Sequence, residues 1–388
     1  MKVLIVHNIL WAHYKAAVFQ ALTQLAHQQP DSQIKVLQIA RNERSRAGWE
    51  TTAPDAPVYQ YDYELLFDRF VEDVSLGERT RALLNRIRAC KPDVLYLTGY
   101  YDPAQLALLA YAKLTGVPVI MQIESTVADN SRGGLKESLK RGILRLCDGF
   151  FCFGSPQADY LMQLGVPTRK ILLRKTAVDN HALLTAYTKA ILHRAEQQQK
   201  AAMHPHNFVF VGRLIEPKNL PALLVAFAGA IQQTGNAEWG LVFLGDGPLK
   251  AELDRQTNAL NLTDRVRFLP ATHWYRVPDT LALCDALVLP SRSEPWGLVV
   301  NEAMVCGMPV LVSERCGCAK DLVCDGQNGF LFDPDQPDQL TNRLVQLMQL
   351  TDNEREDRGN VSREVIKSWS VDAVAAAMLA GIQSVTTR

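Results

Sequence analysis

Chemistry is most concentrated between Ser291 and Pro309, SRSEPWGLVVNEAMVCGMP, where Glu294 and Glu302 are the two carboxylates. The stretch starts where the apolar run Ala286 to Leu289 stops at Pro290. It ends at a Gly-x-Pro stop, Gly307 to Pro309, before a second apolar run, Val310 to Val312. Strand, polar loop, short helix and strand make a βαβ unit, which puts the loop at the carboxyl edge of a parallel sheet. Gly297 lets backbone come close to a ligand, and the first helical N–H groups, near Leu298 and Val299, have no intrahelical acceptor. Such a helix start favours a phosphate. The flanking carboxylates can accept hydrogen bonds from sugar hydroxyls, and a ligand that joins phosphate to a polyol is a nucleotide sugar.

A second group of residues follows another apolar run, Phe208 to Val211. Gly212 and Arg213 open a loop that runs through Pro217 and Lys218 to Asn219, a candidate N-cap for a helix over 220–232. Two cations on a loop leading to a helix start suit a diphosphate, and without that partner they would be a solvated surface pair. Gly245 and Gly247 flank Asp246 after the run Gly240 to Leu244. They serve either a tight turn or a ligand contact, and a lone G-x-G does not separate the two. Asp333-Pro334-Asp335 has the form of a metal-binding D-x-D but sits among prolines and reads as a turn. Cys316, Cys318 and Cys324 cluster without a nearby histidine, a poor zinc site, so no metal and no cofactor is expected. The leaving diphosphate would then be stabilised by side-chain cations and helix N–H groups.

These residues need a scaffold, and 388 residues suffice for two domains. Lysine plus arginine (41) equal aspartate plus glutamate (41), so no global field draws the chain to nucleic acid. The start, MKVLIVHNIL, reads as a first strand rather than a signal peptide, and no apolar stretch nears the ~20 residues that span a bilayer. A cytoplasmic protein is expected, with a peripheral place on the inner membrane face as the variant. Strands over 2–6, 34–39, 94–98, 118–123, 150–153 and 171–173 alternate with helices. After a helical, glutamine-rich stretch from Asp179 to His206, read as a linker, strands over 208–211, 240–244, 266–269, 286–289, 310–312 and 329–332 form a second series. Alternation of this kind specifies doubly wound parallel sheets, here two α/β halves facing each other across a hinge. The expected domains are 1–190 for the acceptor, 205–365 for the nucleotide sugar, and a C-terminal helix, 366–388, that could return to the first half. His7, His13, Glu124 and Asp129 fall in loops at the edge of the first half and are acceptor-side candidates. The basic helix over 132–147 places Arg132, Lys136, Lys140 and Arg141 against Leu135, Leu139, Ile143 and Leu146. Its apolar stripe is expected to pack in the domain, the alternative being a face for anionic lipid.

Together, GRL-x-x-x-KN from Gly212, GDGP from Gly245, the Glu294/Glu302 pair inside SEPWGLVVNEAM, and DG-x-NGFLF from Asp325 resemble glycosyltransferase family 4, retaining enzymes of GT-B fold. The resemblance covers about Phe208 to Phe332. It implies two Rossmann-like domains facing across a cleft and transfer of a sugar from a UDP- or GDP-sugar to a glycan, lipid-linked or small-molecule acceptor, as in cell-surface polysaccharide or glycolipid assembly. It further implies that Arg213 and Lys218 bind the diphosphate, Glu294 the sugar and Glu302 the ribose hydroxyls, with the backbone of Trp296, Gly297 and Leu298 near sugar and phosphates. The first half matches only in pattern, and Glu124 stands there where many members carry a histidine; in the second half Cys316-Gly-Cys318 stands where many have paired glycines. The rivals are a sugar-nucleotide epimerase on the same architecture and a non-catalytic sugar-nucleotide-binding protein.

Overall fold

The computed structural model describes residues 1–46, 56–126 and 135–386, which form two compact units. The first unit comprises Met1–Val178 and Trp369–Arg388, and the second Asp179–Ser368. In the first, strands β1 (Lys2–Ile9), β2 (Gln33–Asn42), β3 (Tyr63–Phe70), β4 (Val94–Leu97), β5 (Val119–Ile123), β6 (Gly149–Cys152) and β7 (Ile171–Arg174) form one parallel sheet in the order β3-β2-β1-β4-β5-β6-β7. Runs such as VLYL in β4 and GFFC in β6 are buried throughout, as expected of strands covered on both faces. Leu4, Val6, Leu95 and Leu97 belong to one core layer, while Val3, Ile5, Tyr96 and Phe151 belong to the other. The C-terminal helix, Val371–Thr386, contributes Val374, Met378 and Ile382 to that second layer, beside Phe19 and Leu22 of the helix His13–His27.

Strand β3 has no counterpart in the sequence expectation. Glu64, Asp68 and Arg69 interrupt its apolar residues, which an edge strand with half-exposed sides tolerates. β1 also runs three residues beyond the expected end at Val6. β2 likewise runs past its expected end at Ile39 as far as Asn42, and 47–55 lie outside the described residues.

The second sheet consists of β8 (His206–Val211), β9 (Trp239–Leu244), β10 (Val266–Leu269), β11 (Ala286–Leu289), β12 (Val310–Ser313) and β13 (Gly329–Phe332), parallel and ordered β10-β9-β8-β11-β12-β13. In both sheets the chain starts in the middle, builds outward, then crosses to the other side. The crossing leaves a switch point between β1 and β4 in the first unit and between β8 and β11 in the second, where loops diverge and ligands enter such folds. The stretch read as a linker is ordered with the second unit. Asp179 caps the helix Asn180–Ala190 by accepting from the Ala182 N–H at 2.9 Å, and Arg194 grips Asp285 at 2.8 Å. Among the described residues, no helix is long and apolar enough to cross a membrane.

Candidate functional site

The loops leaving β8 and β11 meet at the second unit's switch point. The Arg292 N–H donates to the Pro217 carbonyl at 2.8 Å, which ties the two loops together at their backbones. This tie brings Lys218, at the end of a short 3-10 turn, against Glu294. Their ammonium and carboxylate form an ion pair, with each side chain only 15 % exposed. Glu294 is also fixed from behind: the Gly317 N–H donates to its carbonyl at 2.9 Å, and the Cys318 N–H to that of Trp296 at 3.0 Å. Trp296 is buried, its indole N–H donating to Asn301 Oδ1 at 2.9 Å, so it offers only backbone to a ligand. The sequence reading missed Asn301 and saw Cys316 and Cys318 only as a poor zinc site, whereas both segments hold this turn in shape. Both thiols are buried and pushed to higher pKa by that burial, which suits a packing role.

Gly297 closes the loop in left-handed backbone, φ 100°, and caps the helix Leu298–Val305. A Cβ there would meet Leu289 Cδ2 at 2.8 Å, so glycine is required by backbone conformation and by space. Among the described residues, the N–H groups of Leu298 and Val299 meet no acceptor. Glu302 lies on the same helix, half-buried, and among the described residues no cation or donor reaches its carboxylate. Burial alone pushes its carboxyl up to about 7. A desolvated carboxylate without donors is suited to ligand hydroxyls, which would supply the missing hydrogen bonds.

Gly212 and Arg213 leave β8 beside Gly245 and Gly247. The Leu214 N–H donates to the Asp246 carbonyl at 2.8 Å, and the Leu249 N–H to that of Leu214 at 3.0 Å. At Gly245, φ 151°, a Cβ would collide with the Gly212 carbonyl oxygen. The close approach of two loops therefore accounts for this glycine without a ligand. Arg213 is exposed and, among the described residues, carries no ion pair. Asn219 stands at the N-cap position but in left-handed backbone, φ 56°, with no side-chain cap bond. Pro221 in the first turn lacks an N–H, which leaves one donor fewer to satisfy. Asp333 accepts the Asp335 N–H at 3.0 Å and Asp335 pairs with Arg315 at 2.7 Å, the geometry of a turn.

The first-unit candidates are dispersed. His7 is inside β1 rather than in the loop after it, buried, with Nδ1 2.9 Å from Gln38 Oε1 and its ring edge-on to Phe19. His13 starts the following helix with its ring against Trp11. Glu124 follows β5 and pairs with Lys15 at 3.7 Å. Asp129 and Arg132 lie outside the described residues, as do the side chains of Leu135 and Lys136. The remainder of the basic helix, described as Leu135–Arg145, buries Leu144 and packs Ile143, yet leaves Leu139 67 % exposed, and Leu146, just past its end, is 46 % exposed. The expected single apolar stripe is thus split, with Leu144 and Cys147 turned inward in place of Leu139 and Leu146.

Residues 193–365 match the model of the family Glycosyl transferases group 1. A D-inositol 3-phosphate glycosyltransferase of Salinispora tropica is 36 % identical over 148 residues, covering 36 % of this chain and 30 % of that one. An alpha-D-kanosaminyltransferase of Streptomyces kanamyceticus is 23 % identical over 247 residues, covering 61 % and 63 %. The chain thus spans less than two thirds of the curated relatives it matches. Among solved structures, Anabaena Alr3699/HepE in complex with UDP and glucose superposes with a TM-score of 0.74 at 18 % identity, over 99 % of this chain and 100 % of that one. The fold is GT-B. The family match lies within the unit that holds the Lys218–Glu294 pair, and the GT-B likeness extends over the other unit as well.

Proposed function

We propose that this chain is a glycosyltransferase that moves a sugar from a UDP- or GDP-sugar to a glycan or lipid-linked acceptor, with retention of configuration and without a metal. The observation that carries the reading is the Lys218–Glu294 ion pair, assembled from two loops at a switch point beside a helix start with free N–H groups. Without ligand, each charge neutralises the other. With a donor bound, Lys218 and Arg213 turn to the diphosphate oxygens and the N–H groups of Leu298 and Val299 add to that positive field. Glu294 is then released to hold sugar hydroxyls, and Glu302 takes those of the ribose.

Transfer follows as the bond from the anomeric carbon to the phosphate oxygen breaks and a bond to the acceptor oxygen forms on the same face. The acceptor's proton passes to the departing phosphate, which carries away the electron pair. No residue of the second unit is asked to act as a covalent nucleophile. Fixed placement of donor and acceptor supplies much of the rate. The exposed Leu139, on a helix that also carries Arg141 and Arg145, and the exposed Leu146 just past its end support a glycolipid or surface-polysaccharide role for a protein that touches the membrane peripherally.

A thermal-shift screen against UDP-, GDP-, ADP- and TDP-sugars tests the donor, because a ligand that binds only the folded state raises Tm. A rise with UDP- or GDP-sugars and release of the diphosphate when acceptor is added are expected. No rise with any of the four would refute the reading. An isomerised sugar formed from donor alone would replace it with an epimerase.

A further inference from the structure

The first unit buries a lysine that the donor chemistry leaves unused. Lys15, on the helix after β1, is 9 % exposed at its side chain, with its ammonium 4.5 Å from the ring centroid of Phe153 and 5.4 Å from that of Tyr14. Its ammonium donates to Gln122 Oε1 at 2.6 Å, and the Tyr96 hydroxyl donates to the same oxygen. Two donors on one oxygen fix which way the Gln122 amide faces, so its NH2 must point away from them. It donates to Glu124 Oε1, the same oxygen that the Lys15 ammonium approaches at 3.7 Å. The Glu124 backbone is held in turn by Gln157 Nε2, at 3.4 Å from its carbonyl. The Gln122 amide and the Lys15 ammonium thus converge on one carboxylate oxygen, Glu124 Oε1. Glu124 Oε2 meets no donor among the described residues, and the side chain remains 44 % exposed.

A pair built only for stability would have little reason to bury its cation and leave half its anion open, since burying the ammonium is the costly step. The asymmetry fits a device that aims a charged acceptor atom outward from the carboxyl edge of β5. A cavity on the Lys15 side of the pair is lined by Tyr14, Lys15, Gln122, Phe153 and Thr176, with Val374 and Met378 closing it from the C-terminal helix, and Glu124 is not part of its wall.

We propose that Glu124 and Lys15 form a hydroxyl-recognition site of the first unit, in which Lys15 is a positioning residue and Glu124 Oε2 accepts hydrogen bonds from a polyol ligand. This deepens the proposed function by assigning the first unit a sugar-like acceptor, and it rests on that reading only for the word acceptor. The charged and titratable groups that face Lys15 are Glu124, Tyr14, Tyr96, Cys152 and Lys175. Burial lowers the Lys15 pKa to about 8 and Glu124 opposes that fall, so the ammonium loses its charge, and Glu124 its tether, as pH rises through that value.

Methyl α-D-glucopyranoside, titrated by NMR onto the full chain with and without UDP, is the probe. Glu124→Gln and Lys15→Met should each weaken its binding about tenfold, the scale of one charge-assisted hydrogen bond. UDP affinity should stay unchanged in both. Wild-type binding of the probe should weaken above pH 8, whereas Lys15→Arg, which stays charged, should bind the probe and lose that alkaline limb. Three results would overturn the proposal: no probe binding by the wild type, no effect of Glu124→Gln, or an alkaline limb unchanged in Lys15→Arg. If the probe binds as expected while UDP and its sugars do not, the nucleotide-sugar reading fails and this site stands.

Discussion

The two units share one strand order and place their polar groups at the same edge of the sheet, yet they assemble those groups by different means. In the second unit the groups other than Glu302 ride on loops. Lys218 and Glu294 meet because backbone bonds stitch the β8 loop to the β11 loop and the β11 loop to the Cys316–Cys318 turn. In the first unit they come from inside the elements: Lys15 from a helix, Tyr96 and Gln122 from strands, with only Glu124 beyond a strand end. A loop-built site needs glycines and tight turns, which leave a mark in local sequence. A site built from buried side chains needs only complementary partners, which in sequence are scattered.

Lys218→Ala separates the units most sharply. It strands the Glu294 carboxylate and, on the proposed function, removes a cation from the transition state, so turnover should fall by about 10²–10³-fold, as for loss of one preorganised electrostatic contact. Lys15→Met should instead weaken probe binding only tenfold. Similar losses in steady-state kinetics would mean that the two edges do not divide the work as described. Next in size is a test of loop packing. Gly245→Ala forces a Cβ onto the Gly212 carbonyl and should cost about 2–3 kcal/mol in urea denaturation. Gly116→Ala, also left-handed but with open space around it, should cost about 1 kcal/mol. Equal losses would show that the second unit's loops yield easily. The smallest pair concerns the scaffolds alone. Ser75→Ala and Thr351→Ala each remove the side chain of a complete capping box, one in each unit, and each should cost about 1 kcal/mol in the same assay.

This contrast also explains what could be read without coordinates. The alternating runs, the two-sheet architecture and the stretch around Glu294 were legible because buried parallel strands are continuous apolar runs and the site loop is marked by Gly297 and two prolines. Strand β3 was hidden because edge position lets charged residues into it. His7 was misplaced because β1 continues through polar His7 and Asn8 as far as Ile9. Asn219 misled because asparagine suits both an N-cap and left-handed backbone. Lys15 gave no signal: its partner Gln122 lies 107 residues away, and a lysine in an amphipathic helix reads as solvated.

The central claim is that the second unit keeps an unsatisfied carboxylate, Glu302, for the hydroxyls of a bound nucleotide. With its carboxyl raised to about 7, Glu302 is mostly protonated at pH 6 in the free protein, and the ligand-free fold loses stability as pH climbs from the ordinary carboxylate range toward that value. Hydroxyl donors favour the ionised form, so binding must expel the proton. Calorimetry of UDP-glucose binding at pH 6, in two buffers of different ionisation enthalpy, should show release of about one proton per ligand, absent in Glu302→Gln, with affinity rising up to pH 7 and level above it. Binding with no proton release, or release that persists in Glu302→Gln, would contradict the account.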